Sequence, residues 1–475
     1  MRVAGAEPEG AFEHPASTAR FSIRNARGAT WQTVEKAGYS QSLPINYVIG
    51  SGSHAFGYVV AVGDHLFQSP LSYYTIRRMW DMAPGYEQST DPDFSRPVTP
   101  ECLFCHSNKP RPVPNTLNTY QSPPFEGSGI QCDRCHGPAE AHLKRPVPGS
   151  IINPAKLGPR QRDSICEQCH LTGEVRIPNP GNAISDFLPG QAIEDVYTVY
   201  VARHDSDKTI KVVSHVEQLA LSACARNSNG KLWCGTCHDP HETPIHPAGY
   251  YREKCLSCHG AAFEKAHEKA HAASAQDCIT CHMPQRPAND GGHTAFTDHR
   301  ISRRPEVEAD TSLSDELIAW HEPDARLRDR NLALALVTRG MENHNSSQVI
   351  RGYRMLNKVE KDFSGDAAML TALGTILLTA KEPAEATRRF QRALELRPDY
   401  APYEVNLADA LLDQGDAKAA TRHLEHAVQL DPLLQQAVQL LRQAFVAQGR
   451  TAQAEDLIRR YRSAMGFQAM TPTTR

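Results

Sequence analysis

Hydrophobic and polar residues alternate along the first hundred positions. Phe21-Ser-Ile-Arg and Trp31-Gln-Thr-Val have the period of two that sends successive side chains to opposite faces of a strand, and Gly28 between them marks a turn. Tyr47 to Tyr74 is rich in aromatic and β-branched residues and is interrupted at Gly63-Asp64, which predicts a hairpin. His65 at that turn is expected to be solvated. His54 follows Gly50-Ser-Gly-Ser, where the backbone can come close to something flat. From Pro97 to Pro159 prolines and glycines are frequent, which predicts irregular chain. Further on, Val196 to Ala202 reads as a strand and Val213 to Ala225 as a helix. Phe263 to Ala275 reads as another helix, with His267 and His271 one turn apart.

After Arg304 the pattern changes. A polar link with Pro305 and Pro323 leads into Leu327 to Gly466, which is rich in Ala, Leu, Arg and Glu and repeats every 34 residues. The clearest copy begins at Ala367 and has Leu373, Gly374, Ala386, Phe390, Ala393 and Pro398. The next begins at Ala401 with Leu407, Ala408, Ala420, Leu424, Ala427 and Pro432. A third from Gln435 keeps Leu441, Ala454 and Ile458, and an earlier one from Ala333 to Asp366 keeps Gly340 and Leu356. This is the tetratricopeptide period: small residues sit where paired helices touch, and the end copies diverge because they need polar outer faces.

A chain of 475 residues should hold two or three domains. With 40% hydrophobic residues and a mean hydropathy of -0.49, side chains alone look thin for building every core. The formal charge of -3 argues against nucleic acid as a partner, and no stretch approaches the length of a membrane span.

Candidate chemistry resolves the shortage of apolar surface. One pentapeptide, Cys-x-x-Cys-His, occurs six times. Its copies are Cys102, Cys105 and His106; Cys132, Cys135 and His136; Cys166, Cys169 and His170; Cys234, Cys237 and His238; Cys255, Cys258 and His259; and Cys278, Cys281 and His282. Cysteines three apart lie on one face of a helical turn, so both sulfurs can bond the vinyl groups of one porphyrin while the next histidine reaches the iron as proximal ligand. A zinc ribbon would use the cysteine pairs without demanding a histidine after each. The six motifs therefore read as attachment sites for six c-type haems, whose macrocycles supply the missing apolar surface. They use twelve of the thirteen cysteines, and Cys224 is left as a small buried thiol.

A second histidine closes a haem iron to all but electron transfer. Sixteen histidines lie outside the motifs, enough to close every iron. His54, His142, His215, His241, His293 and His299 are the candidate distal ligands. His241 lies three residues after a proximal ligand and cannot pass round the same macrocycle, so if it binds iron it binds that of a neighbouring haem, and the same holds for His142. His204, His246, His267 and His271 are weaker candidates, and His14, His65, His321, His344, His423 and His426 are read as structural or exposed. Haem attachment takes place outside the cytoplasm, so a secretory signal is expected, yet Met1 to Gly10 has no apolar run. Either the signal is absent from this numbering or the start of the gene was placed too late, and the second is the favoured reading.

The chain resembles periplasmic multihaem cytochromes related to the tetrahaem partner of hydroxylamine oxidoreductase, fused here to tetratricopeptide repeats. The resemblance rests on Tyr47-Val-Ile-Gly-Ser-Gly-Ser-His54, Trp80-Asp-Met-Ala-Pro-Gly85-Tyr86, Gly129 to Pro138, Cys234-Gly-Thr-Cys-His-Asp-Pro-His241, and Cys278 to Pro284 followed by Thr297-Asp-His-Arg-Ile301. It implies distal roles for His54, His142, His241, His293 and His299, with His215 carried over less directly. It also implies a further haem motif upstream of Phe12-Glu-His-Pro-Ala-Ser17, hence a seventh haem in a longer product.

The expected architecture is multidomain: a strand-rich part over residues 1–100, a loop-rich, mostly α six-haem cytochrome c domain over 101–304, a linker over 305–326, and an all-α repeat solenoid over 327–475. The expected function is periplasmic or extracytoplasmic electron transfer, with a redox partner protein docking on the repeats. The alternative is a multihaem oxidoreductase with one open haem acting on a small nitrogen or sulfur compound. No motif has lysine in place of the proximal histidine, which counts against that alternative, and no catalytic residue is assigned. The repeats are expected to be removable without loss of the haem spectrum.

Overall fold

The computed structural model describes residues 1–36, 38–202, 210–270, 277–302 and 316–469, with the side chains of 261–270 and 469 left aside. Two compact units divide the chain. The first gathers residues 1–131, 177–185 and 323–475, and the second gathers 132–176 and 186–322.

In the first unit, the alternation at Phe21 and Trp31 becomes the strands Arg20–Ala26 and Ala29–Lys36, paired antiparallel with Phe21 opposite Val34 and Arg24 opposite Trp31. Arg27 and Gly28 form a two-residue turn with positive φ at both positions (52° and 75°), the geometry whose twist matches the flanking strands. Phe21, Ile23 and Val34 point inward and are fully or nearly buried. Gly57–Val62 and His65–Gln68 form the second predicted hairpin, with Val62 opposite His65 across Gly63-Asp64.

His65 is not solvated. Its Nε2 lies 3.0 Å from Oδ1 of Asp431, a carboxylate only 2% exposed, in the turn between two repeat helices. The expectation overlooked that a polar residue at a hairpin turn can be covered by chain hundreds of residues away.

The repeat region consists of four antiparallel helix pairs. Their first helices are Arg328–Glu342, Ala367–Thr379, Ala401–Asp413 and Gln435–Ala447, and their second helices are Ser346–Val359, Pro383–Leu396, Ala417–Leu430 and Thr451–Ala464. The last three pairs keep the 34-residue spacing, and the first is stretched by the short 3-10 turn Glu360–Phe363. The marked small residues are contact points, since a Cβ at Gly374 would lie 2.5 Å from the Phe390 ring.

One pairing lies outside any sequence pattern. Phe467–Ala469, just past the last repeat helix, adds an edge strand to the N-terminal sheet, whose order is Phe467–Ala469, Tyr39–Pro44, Ala29–Lys36, Arg20–Ala26, Gly10–Glu13. Gln41 Nε2 donates to the Met465 carbonyl at 2.9 Å, and Leu433 and Met465 are buried in the same core as Phe21, Ile23 and Val34. The repeats are therefore not an independent appendage, and their removal would open the sheet.

The second unit has little regular structure. The strand Tyr197–Ala202 forms as expected and pairs with Leu317–Ala319, within the stretch read as linker. The helix read over Val213 to Ala225 is two helices, His215–Leu221 and Ala223–Asn227, divided at Ser222, whose hydroxyl caps the second by accepting from the Ala225 N–H. Of the helix read over Phe263 to Ala275, the described part is the end of Pro247–Ala270, which is broken at Gly260 (φ 68°, ψ 166°), and 271–275 lie outside the described residues. His204 and His271 lie outside the described residues, as does the side chain of His267.

Candidate haem centre

Each pentapeptide lies on or caps a helical turn, and in the first and third motifs the middle pair is the anchor. In Pro100–His106 a proline at the first position starts the helix, and Leu103 and Phe104 are completely buried. Residues i, i+3 and i+4 share a helix face, so Cys102, Cys105 and His106 stand together away from that core. In Pro159–His170 the buried pair is polar. Glu167 accepts hydrogen bonds from Trp320 Nε1 and His321 Nε2, both at 3.0 Å, and Gln168 Nε2 donates to the Arg134 carbonyl at 3.1 Å. The helix of the sixth motif is capped by Asp277, whose carboxylate accepts from the N–H groups of Ile279 and Thr280. Gly137 and Gly260, each with φ near 70°, follow His136 and His259 and stop their helices directly after the histidine.

The predicted attachment sulfurs stand at two depths. Cys102, Cys132, Cys258 and Cys281 are exposed, and Cys105, Cys135, Cys166, Cys169, Cys234, Cys237, Cys255 and Cys278 are half-buried. Cys224 is half-buried too, which corrects its reading as a buried thiol. No two of the thirteen are joined in a disulfide. Thiols of successive motifs meet at their first cysteines. Cys166 and Cys234 share a hydrogen bond that raises Cys166, and burial together with Cys278 pushes Cys255 up to about 11.

Four of the candidate histidine rings have Nδ1 held by a hydrogen bond. His136 Nδ1 donates to the Ile152 carbonyl at 2.7 Å and His282 Nδ1 to the Ser302 carbonyl at 2.9 Å. His299 Nδ1 donates to the Thr297 carbonyl at 2.8 Å, and His142 Nδ1 bonds Ser150 Oγ at 2.8 Å. Such a bond fixes the tautomer and leaves the Nε2 lone pair for an iron. His299 is held further by its own N–H to Gln218 Oε1 at 2.8 Å and by Asp298, a 2% exposed carboxylate clamped by Arg286 and Arg300 at 2.6 Å each.

Two imidazoles on opposite faces of one iron have ring centres about 6 Å apart, given metal–nitrogen bonds of about 2 Å. His136 and His241 are 5.9 Å apart, His238 and His299 6.1 Å, and His170 and His215 5.3 Å. His215 and His299 pack edge to face at 4.9 Å. Burial and the neighbouring imidazoles of His299, His170 and His238 push His215 down to about 3, so it is neutral, the state that ligates a metal. Its Nδ1 is buried with no hydrogen-bond partner among the described residues. His54 lies in the first unit with the first motif, after Gly50 and Gly52, both at positive φ, and the flat group that Gly52 admits is the Phe56 ring. His293 lies on the turn between Gln285–Pro287 and Ala295–Thr297.

Large apolar side chains stand exposed beside the second and fourth motifs, Leu143 at 79% and Ile245 at 89%. Paired thiols, tautomer-fixed imidazoles and uncovered apolar side chains together fit a haem. The sequence reading missed Asp298, Gln218 and Ser150 as supports. The run Asp298-His299-Arg300 was the available signal.

The cytochrome c554 and c-prime family matches residues 77–137, which hold the first two motifs. The multiheme cytochrome MtrA of Shewanella baltica (strain OS185) is 26% identical over 242 residues, 46% of this chain and 66% of that protein, slightly under two thirds of its length. Among solved structures, the crystal structure of MamA aligns over 29% of this chain and 80% of its own with 20% identity and a TM-score of 0.26. A mutant O-GlcNAc transferase of Thermobaculum terrenum aligns over 28% and 27% with 26% identity and a TM-score of 0.24. The two sequence likenesses, set beside the six motifs, support a multihaem c-type cytochrome.

Proposed function

We propose that this chain is a periplasmic or extracytoplasmic electron-transfer protein with six covalently attached c-type haems, most held by two histidines, and with repeats that dock a redox partner protein. The observation that carries this reading is the set of imidazole pairs at 5.3 to 6.1 Å. His136 with His241, His170 with His215, and His238 with His299 would each hold one iron from both sides. His106, His259 and His282 would be the proximal ligands of the other three, with His54, His142 and His293 as candidate distal ligands. When bound, each haem supplies a one-electron couple.

Contacts between motif helices support passage of electrons within the second unit. Gln168 joins the third motif to the second, and Arg162 lies 4.7 Å over the ring of Trp233 and so joins the third to the fourth. The kinship to a multiheme cytochrome supports the same reading. The repeats belong to an architecture whose stacked helix pairs make extended concave binding surfaces.

Protein matured in a periplasm should carry six covalent haems by intact mass, and its ferric spectrum should be dominated by low-spin, doubly histidine-ligated iron. A mass with no haem would overturn the reading. A five-coordinate, high-spin iron that binds small nitrogen compounds would redirect it to the oxidoreductase alternative.

A further inference from the structure

The proximal imidazoles with described Nδ1 partners are not supported alike. His136 and His282 each donate to a backbone carbonyl, at 2.7 and 2.9 Å, and in both cases the residue that offers the carbonyl bonds back: Ile152 N–H to the His136 carbonyl at 3.2 Å and Ser302 N–H to the His282 carbonyl at 3.0 Å. His238 instead faces a side chain. The Tyr251 hydroxyl lies 3.3 Å from His238 Nδ1, with the rings 5.7 Å apart and inclined at 67°. Tyr251 is on the helix Pro247–Ala270, one turn before Cys255, so the group that meets the fourth proximal ligand rides on the fifth attachment helix.

We propose that Tyr251 is a positioning residue that fixes the tautomer of His238 and lowers the reduction potential of the iron that His238 holds. The proposal rests on the reading of His238 as a proximal haem ligand. With Nε2 on the metal, Nδ1 carries the proton and the tyrosine oxygen accepts it. An acceptor at Nδ1 makes the imidazole a stronger donor, which favours the ferric state. A hydroxyl at 3.3 Å on a side chain is an adjustable acceptor, where a backbone carbonyl locked by a return bond is fixed. One haem of the series thus has a potential that a single side chain can set.

The test is a spectropotentiometric titration of the full chain matured with its haems, comparing Tyr251→Phe with Tyr250→Phe. Tyr250 stacks edge to face on Tyr251 and lies under Lys254, so its variant controls for disturbance of the helix. Tyr251→Phe should move one component of the titration to higher potential, by up to roughly tenfold in its reduction equilibrium, about 59 mV for one electron. Exchange of one ligand Nδ1 proton should quicken, followed by NMR of the ferric protein, while Tyr250→Phe leaves every component in place. Unmoved components, or a uniform shift of all of them, would overturn the proposal. So would loss of a haem from Tyr251→Phe, because an isosteric ring keeps the packing and the role would then be structural. A wild-type mass without six haems would instead fail the underlying reading of the site.

Discussion

Asp298 shows what a single residue contributes at this site. It is nearly inaccessible, binds Arg286 and Arg300, and is followed by the histidine that the reading places on an iron. Removing one partner from a buried ion pair leaves the other charges uncompensated, at a cost of about 3 kcal/mol. Asp298→Asn should therefore lower stability by that amount in denaturant melts of the haem-loaded protein and change the spin state of one haem. An unchanged melt with six intact low-spin haems would show the clamp to be idle. At this scale the haem c reading was legible, because two thiols and an imidazole at fixed spacing have few other uses. The supports were not. Ile152, Ser302 and Thr297 act through carbonyl oxygens, which every residue has, so their identities carry no signal.

Among the elements, the repeat helices were the most legible, with starts at Ala367, Ala401 and Gln435 where the period put them. Small residues and proline mark that period because the contacts recur with it. The helices of the second unit follow no period, and Ser222 divides what looked continuous. Within the repeats Glu404 joins the two helices of one pair. Its carboxylate is 5% exposed and takes hydrogen bonds from His423 Nδ1 and His426 Nδ1, both at 2.7 Å. Burial works to raise this carboxyl, but the two histidine bonds outweigh it and hold Glu404 below the usual carboxylate range. A depressed carboxylate stabilises the fold above its unfolded value, about 4.3, and that contribution is lost as the pH falls through the folded value. Helix melts followed by circular dichroism should lose stability below about pH 4.3, and Glu404→Gln should flatten that part of the profile. An unaltered profile in the variant would assign the acid loss elsewhere.

For the whole molecule, the interleaving of segments was the least legible feature. Phe467–Ala469 is a three-residue strand with no alternation to reveal it, and its partner Tyr39–Pro44 lies at the other end of the chain. Ending the chain at Met465 would bare the backbone groups of Tyr39–Pro44 and remove the Phe467 ring, which packs 5.4 Å from Tyr39. Amide exchange in Tyr39–Pro44 should then quicken about tenfold or more, while the helices of the second unit keep their rates. Equal rates in the two proteins would make the edge strand ornamental. The same strand orders events during biosynthesis. It lies downstream of all six attachment motifs, so the sheet of the first unit cannot be completed until every cysteine pair has already emerged.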